Sequence, residues 1–528
     1  MRNCPTYLRR VLKSARKHPN QIAMDCDLGL LTYGKLPQLI MHLTHKLARS
    51  TGSPSRSLRC AVLAGERAIY PLSMLAIHMA GYVYLPVDIK TPAKRILSCF
   101  TAAEVNIVLA DKEGLHRLSE LGQLDGIDVI EIDGAELFAA HAQEAMRTAT
   151  VEFGIDVDVD VDVEAQHIAK DADEQTAVIL FTSGSTGAPK GVQLAHRGYR
   201  NWYECVSQII SVSSCDRIAF TASPAFDIAI GEILLAFSSG ATLCVAELGV
   251  LRDPKGLARW IETKTISILQ SVPSLLKLLV RFAREDGTLG SLRILISTGE
   301  QLECALVRQI RESFPSFTGR IVNLYGPVEA SIQVSYCWAD AYANLTSTHV
   351  PIGEPFAECG LFLNAVQADG CGELIISGTQ LAQGYLNKQM TDEKFFAQDG
   401  ADGKVLCYRT GDVGYINEAG HIVLVGRMDD QIKLNGYRIE LGEIESALLS
   451  INGISEACAL IIDGAMAKEL HAFVVASEGD TNHIRQQLAL ILPAYMLPRS
   501  INAIAHLPIN QNGKRDKAAL KAFIAEKV

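Results

Sequence analysis

The sequence lacks the features that would place the chain in a membrane or on nucleic acid. No uninterrupted apolar run reaches the about 18 residues that span a bilayer. The sequence has 59 Asp and Glu residues and 49 Lys and Arg residues, so its formal net charge is −10. This charge argues against a dedicated nucleic-acid-binding protein and against a polybasic protein of the membrane surface, both of which need an excess of basic residues. The 13 cysteines include no CxxC pair and no His/Cys cluster, which excludes a zinc site of the usual spacing and indicates reduced, mostly buried thiols. These absences favour a large, soluble, cytoplasmic protein.

The N-terminus is basic and lacks the apolar segment of a signal peptide. Leu8, Val11 and Leu12 lie at helical spacing and predict an amphipathic first helix, with a membrane-surface helix as the alternative. The alternating sequence IDVDVDVDVE at 155–164 predicts an exposed edge strand or linker, to which we assign no function.

The pattern of apolar runs indicates an α/β protein. The length of 528 residues predicts three or four domains. Strand-like runs alternate with helical stretches up to about residue 165, for example a strand at 60–64 followed by a helix at 70–80, and again from 176 to about 340, where a strand is predicted at 265–270. This alternation predicts parallel βαβ units. Residues 351–425 are rich in β and turn signals. The polar sequence GRMDD at 426–430 predicts a hinge between a lobe of residues 1–428 and a lobe of residues 429–528.

The strongest local signal is the sequence VILFTSGSTGAPKGV at 178–192, where an apolar strand runs into a loop of hydroxyls and glycines. Small residues let backbone N–H groups approach phosphate oxygens, hydroxyls add donors, and Lys190 adds positive charge. The loop is not a Walker A motif, because Pro189 precedes the lysine and the glycine spacing differs.

The string TSGSTGAPKGV resembles the phosphate-binding signature of adenylate-forming enzymes, which include nonribosomal-peptide adenylation domains, acyl-CoA synthetases and luciferases. The resemblance covers nearly the whole chain. Further segments similar to family motifs follow in family order: 74–96, 323–332 (NLYGPVEASI), 372–387, 408–412 (YRTGD), 426–445 and 507–520. The resemblance implies the adenylate-forming fold, with a large N-terminal lobe of two α/β subdomains plus a β-rich subdomain, and a small mobile α+β C-terminal lobe.

The resemblance also implies the chemistry. A carboxylate attacks the α-phosphate of ATP and expels pyrophosphate, with Mg²⁺ held by Glu329. The residues that match phosphate-binding positions are Thr182, Ser183, Gly184, Ser185, Thr186 and Lys190. The residues that match positions around the nucleoside are Thr298, Gly299, Glu300, Asn323, Leu324, Tyr325, Gly326, Pro327, Val328, Asp412 and Arg427. Tyr325 would stack on adenine, Asp412 would accept the ribose hydroxyls, and Arg427 would assist at the ribose. The family usually has Thr where Val328 stands, so one hydroxyl is missing here.

The C-terminal motifs imply two further roles. Lys514, in the sequence NGK, matches the catalytic lysine that neutralises the substrate carboxylate and the α-phosphate together. In the second half-reaction the small lobe swings about a hinge at Asp429, and Lys433 and Gly436 line a tunnel for a thiol. The sequence carries no carrier domain and no HHxxxDG condensation motif, so we expect the acceptor to be a separate phosphopantetheinyl carrier protein.

The substrate pocket follows from alignment to the same motifs. Its residues are Asp227, Ile228, Gly231, Gln270, Ile296, Thr298, Leu324, Ile332, Gln333 and Lys514. An Asp at position 227 pairs with the substrate α-ammonium in amino-acid-activating members; a helix N-cap is the structural alternative. The set resembles glycine-activating pockets, so we expect glycine first and alanine next. Thr298 should crowd the pocket further, whereas Gly231 should open room.

Other functions stay open on the sequence alone. The chain could activate a different amino acid for nonribosomal peptide synthesis, act as an acyl- or aryl-CoA synthetase, or be a degenerate scaffold. The segment 432–445 is also similar to D-alanine–carrier ligases of teichoic acid modification. A glycine activator that works with a separate carrier resembles enzymes that begin lipid A glycylation, a route to resistance against cationic antimicrobial peptides.

Overall fold

The structure of the chain is a computed structural model, which describes residues 4–51, 58–122, 124–138, 172–184, 189–283, 289–345, 348–400, 403–429, 431–464, 468–476, 480–508 and 515–525. The predicted strand at 155–164 lies outside these residues. The chain forms two compact units. The first comprises Met1–Ile89, Ala103–Leu180 and Gly191–Met428, and the second comprises Lys90–Ala102, Phe181–Lys190 and Asp429–Val528.

The elements alternate as the apolar pattern predicts. Up to residue 138 they are α1 Thr6–Lys17, β1 Ile22–Cys26, β2 Gly29–Thr32, α2 Leu36–Thr51, β3 Arg59–Ala64, α3 Ile69–Met79, β4 Val83–Asp88, α4 Ala93–Ala102, β5 Ile107–Ala110, α5 Lys112–Ser119, β6 Asp128–Glu131 and α6 Gly134–Phe138. From residue 172 to residue 325 they are β7 Thr176–Thr182, β8 Lys190–Ala195, α7 His196–Ile209, β9 Arg217–Phe220, α8 Asp227–Ser239, β10 Thr242–Val245, α9 Leu248–Leu251, α10 Pro254–Thr263, β11 Ile268–Ser271, α11 Pro273–Phe282, β12 Ile294–Ser297, α12 Cys304–Ser313 and β13 Arg320–Tyr325.

The later part of the chain is richer in strands. It continues with a 3₁₀ helix Val328–Ala330, β14 Ser335–Trp338, a 3₁₀ helix Ala339–Tyr342, β15 Glu354–Pro355, β16 Cys359–Asn364, β17 Gly372–Gly378, β18 Gly384–Tyr385, α13 Lys388–Lys394, β19 Phe395–Gly400, β20 Gly403–Ile416 and β21 Ile422–Arg427. The C-terminal segment contains β22 Gln431–Leu434, β23 Tyr437–Glu440, α14 Leu441–Leu449, β24 Ile454–Asp463, β25 Lys468–Ala476, α15 Thr481–Ala489, a 3₁₀ helix Ala494–Met496, β26 Ser500–Ala503 and α16 Lys517–Ala525.

Three sheets organise the first unit. A seven-stranded sheet has the order β18-β8-β7-β4-β3-β5-β6, and a nine-stranded sheet has the order β15-β14-β13-β12-β11-β9-β10-β1-β2. In the nine-stranded sheet, the neighbouring strands from β13 through β9 and β10 to β1 are parallel. A five-stranded antiparallel sheet contains β16, β17, β20, β19 and β21. This is the predicted α/β architecture with a β-rich subdomain.

The second unit has sheets of its own. β22 and β23 form a hairpin, and β24, β25 and β26 form a three-stranded sheet against which α14 packs. The last segment of this unit begins at Asp429, the first residue of the predicted small lobe. The unit also contains α4 and residues 181–190, which carry much of the predicted phosphate loop.

The N-terminal helix belongs to the core of the first unit. α1 buries Leu8 and Val11 and packs against α8, so the prediction of an amphipathic helix is confirmed and the membrane-surface alternative is wrong. Among the residues that the structure describes, every helix is too short or too polar to cross a bilayer. One strand is shorter than predicted: the pattern predicts 265–270, but β11 begins at Ile268 because Thr265 has φ +48°, which interrupts extended backbone.

Three buried side chains connect α1, α3 and α7. The Tyr7 hydroxyl lies 2.7 Å from Nδ1 of His78 and 2.6 Å from Nδ1 of His196. Nε2 of His78 lies 3.0 Å from the carbonyl oxygen of Ala177, which can only accept, so this nitrogen carries the proton. Nδ1 of the neutral His78 therefore accepts a hydrogen bond from the Tyr7 hydroxyl. The Tyr7 oxygen in turn accepts a hydrogen bond from Nδ1–H of His196. Burial lowers the pKa of His78 to about 4 and holds the pKa of His196 well below its ordinary value.

This cluster predicts acid sensitivity. An unfolded histidine binds a proton near pH 6.5, whereas folded His78 binds one only near pH 4, so its contribution to stability is present above 6.5 and is lost as the pH falls towards 4. One proton changes the slope of the unfolding free energy by about 1.4 kcal/mol per pH unit. His78→Asn keeps a donor and an acceptor but does not titrate. Urea unfolding of this variant should therefore depend less steeply on pH, and equal slopes would contradict the prediction.

Candidate active site

Four of the predicted pocket residues lie at one edge of the nine-stranded sheet. Gln270 on β11 is paired with Ile296 on β12, and Leu324 lies near the end of the next strand, β13. Thr298 follows β12 directly. Because β11, β12 and β13 are parallel, their carboxyl ends meet at this edge, which is where open α/β sheets bind ligands.

Tyr325, Asp412 and Arg427 form a buried cluster. The Tyr325 hydroxyl donates to Oδ2 of Asp412 at 2.5 Å, and Nη1 of Arg427 donates to Oδ1 at 2.6 Å. Asp412 and Arg427 are cross-strand partners on β20 and β21, which fixes their approach. Burial, followed by the charge of Asp412, raises the pKa of Tyr325 well above its ordinary value, so this tyrosine is a donor. The predicted ribose acceptor is therefore held in place from both sides.

Glu329 lies in a 3₁₀ turn and is fully buried. The hydroxyl of Tyr385 on β18 donates to its Oε1 at 2.6 Å, and the backbone of Ala382 donates to its carbonyl oxygen at 2.8 Å. A single protein carboxylate supplemented by phosphate oxygens is a common magnesium arrangement, and this carboxylate fits it. Within the described part of the chain, no three His, Cys, Asp or Glu side chains cluster closely enough to hold a metal ion by themselves.

The turn after Glu329 has unusual backbone geometry. Ser331 and Ile332 have φ of +54° and +81°, values that a β-branched residue such as Ile332 rarely adopts. Gly326 is required opposite this turn, because an added Cβ would lie 2.4 Å from Cα of Gln333. Such strained backbone is typical of functional sites, where the surrounding structure holds it in place. Here the turn determines the positions of Ile332 and Gln333.

The Gln333 side chain is already engaged within the protein. Its Oε1 accepts from Nε1 of Trp202 at 2.6 Å, and its Nε2 donates to Oγ1 of Thr298 at 3.1 Å. The Trp202 ring also covers Gly231, where an added Cβ would lie 2.7 Å from the ring. The expectation that Gly231 opens room is therefore wrong, because a tryptophan from α7 fills the space that the glycine leaves.

Gln270 differs from Gln333 in its hydrogen bonds. The residue is only 4% exposed, yet among the described residues neither Nε2 nor Oε1 of its amide has a hydrogen-bond partner. The hydroxyls of Ser271 and Ser297, which are paired on adjacent strands, are also buried without partners in the described part of the chain. Buried polar groups normally find partners, so these atoms fit a site that holds a polar ligand or water.

Asp227 is the first residue of α8 and is buried. Phe226 occupies the cap position, and the Asp227 carboxylate accepts the N–H of its neighbour Ile228 at 2.9 Å, so Asp227 is not the N-cap. Burial, and next the charge of Asp227, raises the pKa of Tyr199 well above its ordinary value. Its place in the first turn of α8 puts the carboxylate at the end of the helix dipole that attracts negative charge. Asp227 and Gly231 lie one turn apart on the same face of the helix.

The residues predicted to border adenine have partners within the first unit. The Glu300 carboxylate accepts from the backbone N–H of Ser274 at 2.8 Å, at the start of α11, and from its hydroxyl at 3.1 Å. The Asn323 amide donates to the carbonyl oxygen of Pro351 at 3.0 Å. Gly299 has φ +81°, which suits a glycine.

The predicted phosphate loop lies in the second unit. Oγ1 of Thr182 is buried without a partner among the described residues, so it fits a phosphate oxygen. The Ser183 hydroxyl donates to the carbonyl oxygen of Arg438 at 2.8 Å. The backbone N–H of Gly184 donates to Oε2 of Glu443 at 3.1 Å, and Nζ of Lys190 lies 3.2 Å from Oε1 of Glu440. Two of these three donors, the Gly184 N–H and Lys190, thus bind carboxylate oxygens, which are anionic acceptors like those of a phosphate.

Three predicted site residues, Ser185, Thr186 and Lys514, lie outside the residues that the structure describes. Lys433 lies on β22, and Gly436, in the turn before β23, has φ +80°.

Four residues of the site were not predicted from the sequence. Tyr385, Glu440 and Glu443 lie within quoted motifs, but Trp202 lies outside all of them and carried no sequence signal.

Comparison with known proteins agrees with this geometry. The family model "AMP-binding enzyme" matches residues 11–386, and "AMP-binding enzyme C-terminal domain" matches residues 443–514. Zwittermicin A synthase ZmaJ of Bacillus cereus is 30% identical over 96% of this chain and 93% of its own length. A plipastatin synthase subunit of Bacillus subtilis (strain 168) is 30% identical over 97% of this chain, which spans 13% of that protein.

One similar solved structure is the adenylation domain AlmE of Vibrio cholerae in complex with glycyl-adenosine-5'-phosphate. Its superposition on this chain has a TM-score of 0.80 at 23% sequence identity and covers 99% of this chain and 98% of the AlmE chain. This similarity shows that the two chains share a fold. The chain belongs to the AMP-binding enzyme family. It is an ATP-dependent adenylate-forming ligase of the nonribosomal-peptide adenylation type.

Proposed function

We propose that the chain activates a small amino acid, glycine first and alanine next, as its adenylate, and passes it to the phosphopantetheine thiol of a carrier protein. The buried Asp227 carboxylate carries this proposal. A buried anion at the pocket favours an acid that brings an ammonium group over an acid that brings no positive charge. Apart from Asp227 and Lys514, the predicted pocket set holds no charged side chain, which disfavours acidic and basic amino acids.

The residues of the first unit support the first half-reaction. Asp227 orients the amine, Asp412 binds the ribose hydroxyls, and Tyr325 and Arg427 hold Asp412 in place through the hydrogen bonds described above. Glu329 would hold Mg²⁺, which neutralises charge on the phosphates. Catalysis then consists mainly of positioning and electrostatic stabilisation of the phosphoryl oxygens.

The residues of the second unit support phosphate binding, adenylation and transfer to the thiol. The Gly184 N–H and Lys190 bind carboxylates in this structure, and we propose that they bind the β- and γ-phosphates during catalysis. Lys514 would bring the substrate carboxylate and the α-phosphate together. Lys433 and Gly436, near Asp429, would then contact the pantetheine arm of the carrier.

A pyrophosphate-exchange panel over all the common amino acids tests the proposal. Glycine should give the fastest amino-acid-dependent exchange and alanine the next, and leucine or phenylalanine should be slower by at least tenfold, because each excess methylene is worth about 10–200-fold in a fitted pocket. AlmE, which shares the fold, was solved with a glycyl adenylate. Equal or better exchange with a large amino acid would overturn the substrate assignment, and no exchange with any amino acid would favour the scaffold alternative.

An acyl- or aryl-CoA synthetase is the main enzymatic alternative. Asp227 disfavours it, because an acid without an amine brings no positive charge to this buried carboxylate. Incubation with radiolabelled glycine, ATP and either CoA or a phosphopantetheinylated carrier protein separates the two. Label should appear on the carrier, and label transferred only to CoA would favour the alternative.

We propose that the final acceptor of the amino acid is a component of the cell envelope. A glycyl ester on lipid A or another envelope component would add an ammonium to an anionic surface and so repel cationic antimicrobial peptides. Mass spectrometry of lipid A from cells with and without the gene measures this directly, through the presence or absence of a glycyl mass increment.

A further inference from the structure

Trp202 is a buried residue of α7 that contacts two members of the predicted pocket, Gly231 and Gln333. The whole side chain is inaccessible to solvent. A Cβ added at Gly231 would lie 2.7 Å from Cη2 of the indole, 3.0 Å from Cζ2 and 3.2 Å from Cδ1 of Ile332. Real Cβ atoms do not approach so closely, so the indole occupies the volume that a side chain at position 231 would otherwise fill.

A chain of hydrogen bonds fixes the indole. Nε1 of Trp202 donates to Oε1 of Gln333 at 2.6 Å, and Nε2 of Gln333 donates to Oγ1 of Thr298 at 3.1 Å. The backbone carbonyl of Gln333 accepts from Nε2 of Gln380 at 2.7 Å, which holds the glutamine itself. Both ends of the Gln333 amide are thus used within the protein. A satisfied buried network of this kind resists displacement by a substrate side chain.

The two glutamines of the pocket consequently have different roles. Gln333 is committed to Trp202 and Thr298, whereas the Gln270 amide has no partner among the described residues. The side of the pocket next to Gly231 and Gln333 is therefore closed by a rigid aromatic ring. Because Gly231 lies one helical turn from Asp227, this ring stands close to the carboxylate that would bind the α-ammonium.

We propose that Trp202 is the residue that sets the upper size limit of the amino-acid side chain, and that it excludes side chains larger than a methyl group. The proposal rests on the proposed function, in that the pocket binds an amino acid. It explains how a pocket with glycine at position 231 can still be small. Trp202 contacts the pocket through its ring, and its N–H positions Gln333.

The test compares substrate panels of the full-length wild type and of Trp202→Leu, measured as kcat/KM for amino-acid-dependent pyrophosphate exchange. Trp202→Leu should raise the ratio of valine or methionine to glycine by at least tenfold, since a pocket discriminates about 10–200-fold per methylene. Trp202→Phe is the intermediate variant, because it keeps an aromatic ring but lacks Cη2 and Cζ2, the indole atoms nearest Gly231. It should raise the same ratio by less than Trp202→Leu does. An unchanged ratio in Trp202→Leu would overturn the proposal.

Gly231→Ala gives an independent test that leaves Trp202 in place. Its methyl group must displace the indole, so the ratio of alanine to glycine should change by tenfold or more. The same substitution in the Trp202→Leu background should be tolerated, which gives a coupling energy between the two positions. Additive effects of the two substitutions would overturn the proposal even if Trp202→Leu alone were poorly folded. Absence of exchange in the wild type, by contrast, would overturn the proposed function.

Discussion

Asp227→Asn is expected to lower glycine-dependent pyrophosphate exchange by about 10²–10³-fold, because neutralising one partner of a buried charge pair costs about 2–5 kcal/mol. The carboxylate is buried at the start of α8, where it accepts the backbone N–H of Ile228. The loss should appear mainly as a raised KM for glycine, while the KM for ATP should change little. Initial-rate kinetics with each substrate varied in turn measure this difference.

Glycolate is the informative competitor in this experiment. It has the size of glycine but carries a hydroxyl in place of the amine, so it does not use the charge of Asp227. Asp227→Asn should therefore narrow the gap between glycine and glycolate. Asp399→Asn, at an exposed position in β19, is the matched control and should leave both rates unchanged. Equal losses with both acids would indicate a structural role and contradict the assignment.

Lys514→Ala is expected to lower adenylate formation by about 10²–10³-fold, the usual effect of removing one electrostatic contact to a transition state. In the proposed function this lysine neutralises two anions that must meet, the substrate carboxylate and the α-phosphate. Binding of ATP depends on other residues and should stay measurable by calorimetry. Pyrophosphate exchange with saturating glycine measures the chemical step.

Lys521→Ala is the control for Lys514, since Lys521 is an exposed lysine in α16 of the same C-terminal segment. This variant should keep wild-type exchange. Transfer of glycine from a preformed glycyl adenylate to the carrier thiol should also survive in Lys514→Ala, because that step no longer joins two anions. Near-normal adenylation in Lys514→Ala would refute its catalytic role.

The sequence predicts the fold and much of the site because its signals are local. β3 is observed at Arg59–Ala64 where the apolar run predicts a strand at 60–64, and α3 at Ile69–Met79 where a helix is predicted at 70–80. Tyr325, Asp412 and Arg427 come together as their motifs imply. In each case the residues that carry the signal are contiguous, and the fold only has to bring the motifs to one place.

The role of Trp202 depends on contacts between distant parts of the chain, which a local pattern does not encode. Position 231 lacks a side chain, and sequence reasoning counts that as free space. In the folded unit a ring from another helix fills the space, and Gln333, 131 residues further along the chain, accepts its N–H. Volume in a core is shared among all neighbours, so the size of a pocket cannot be read from its aligned positions alone.

The second unit has a consequence for the order of folding. It is assembled from three stretches of chain, and residues far apart in sequence meet in it: Gly184 contacts Glu443, 259 residues later, and Lys190 contacts Glu440, 250 residues later. During translation, the acidic partners Glu440 and Glu443 are synthesised only after most of the chain has been made. Contacts of such long sequence separation form slowly, because loop closure must come first. The predicted phosphate loop is thus synthesised well before its carboxylate partners, which follow 250 and 259 residues later.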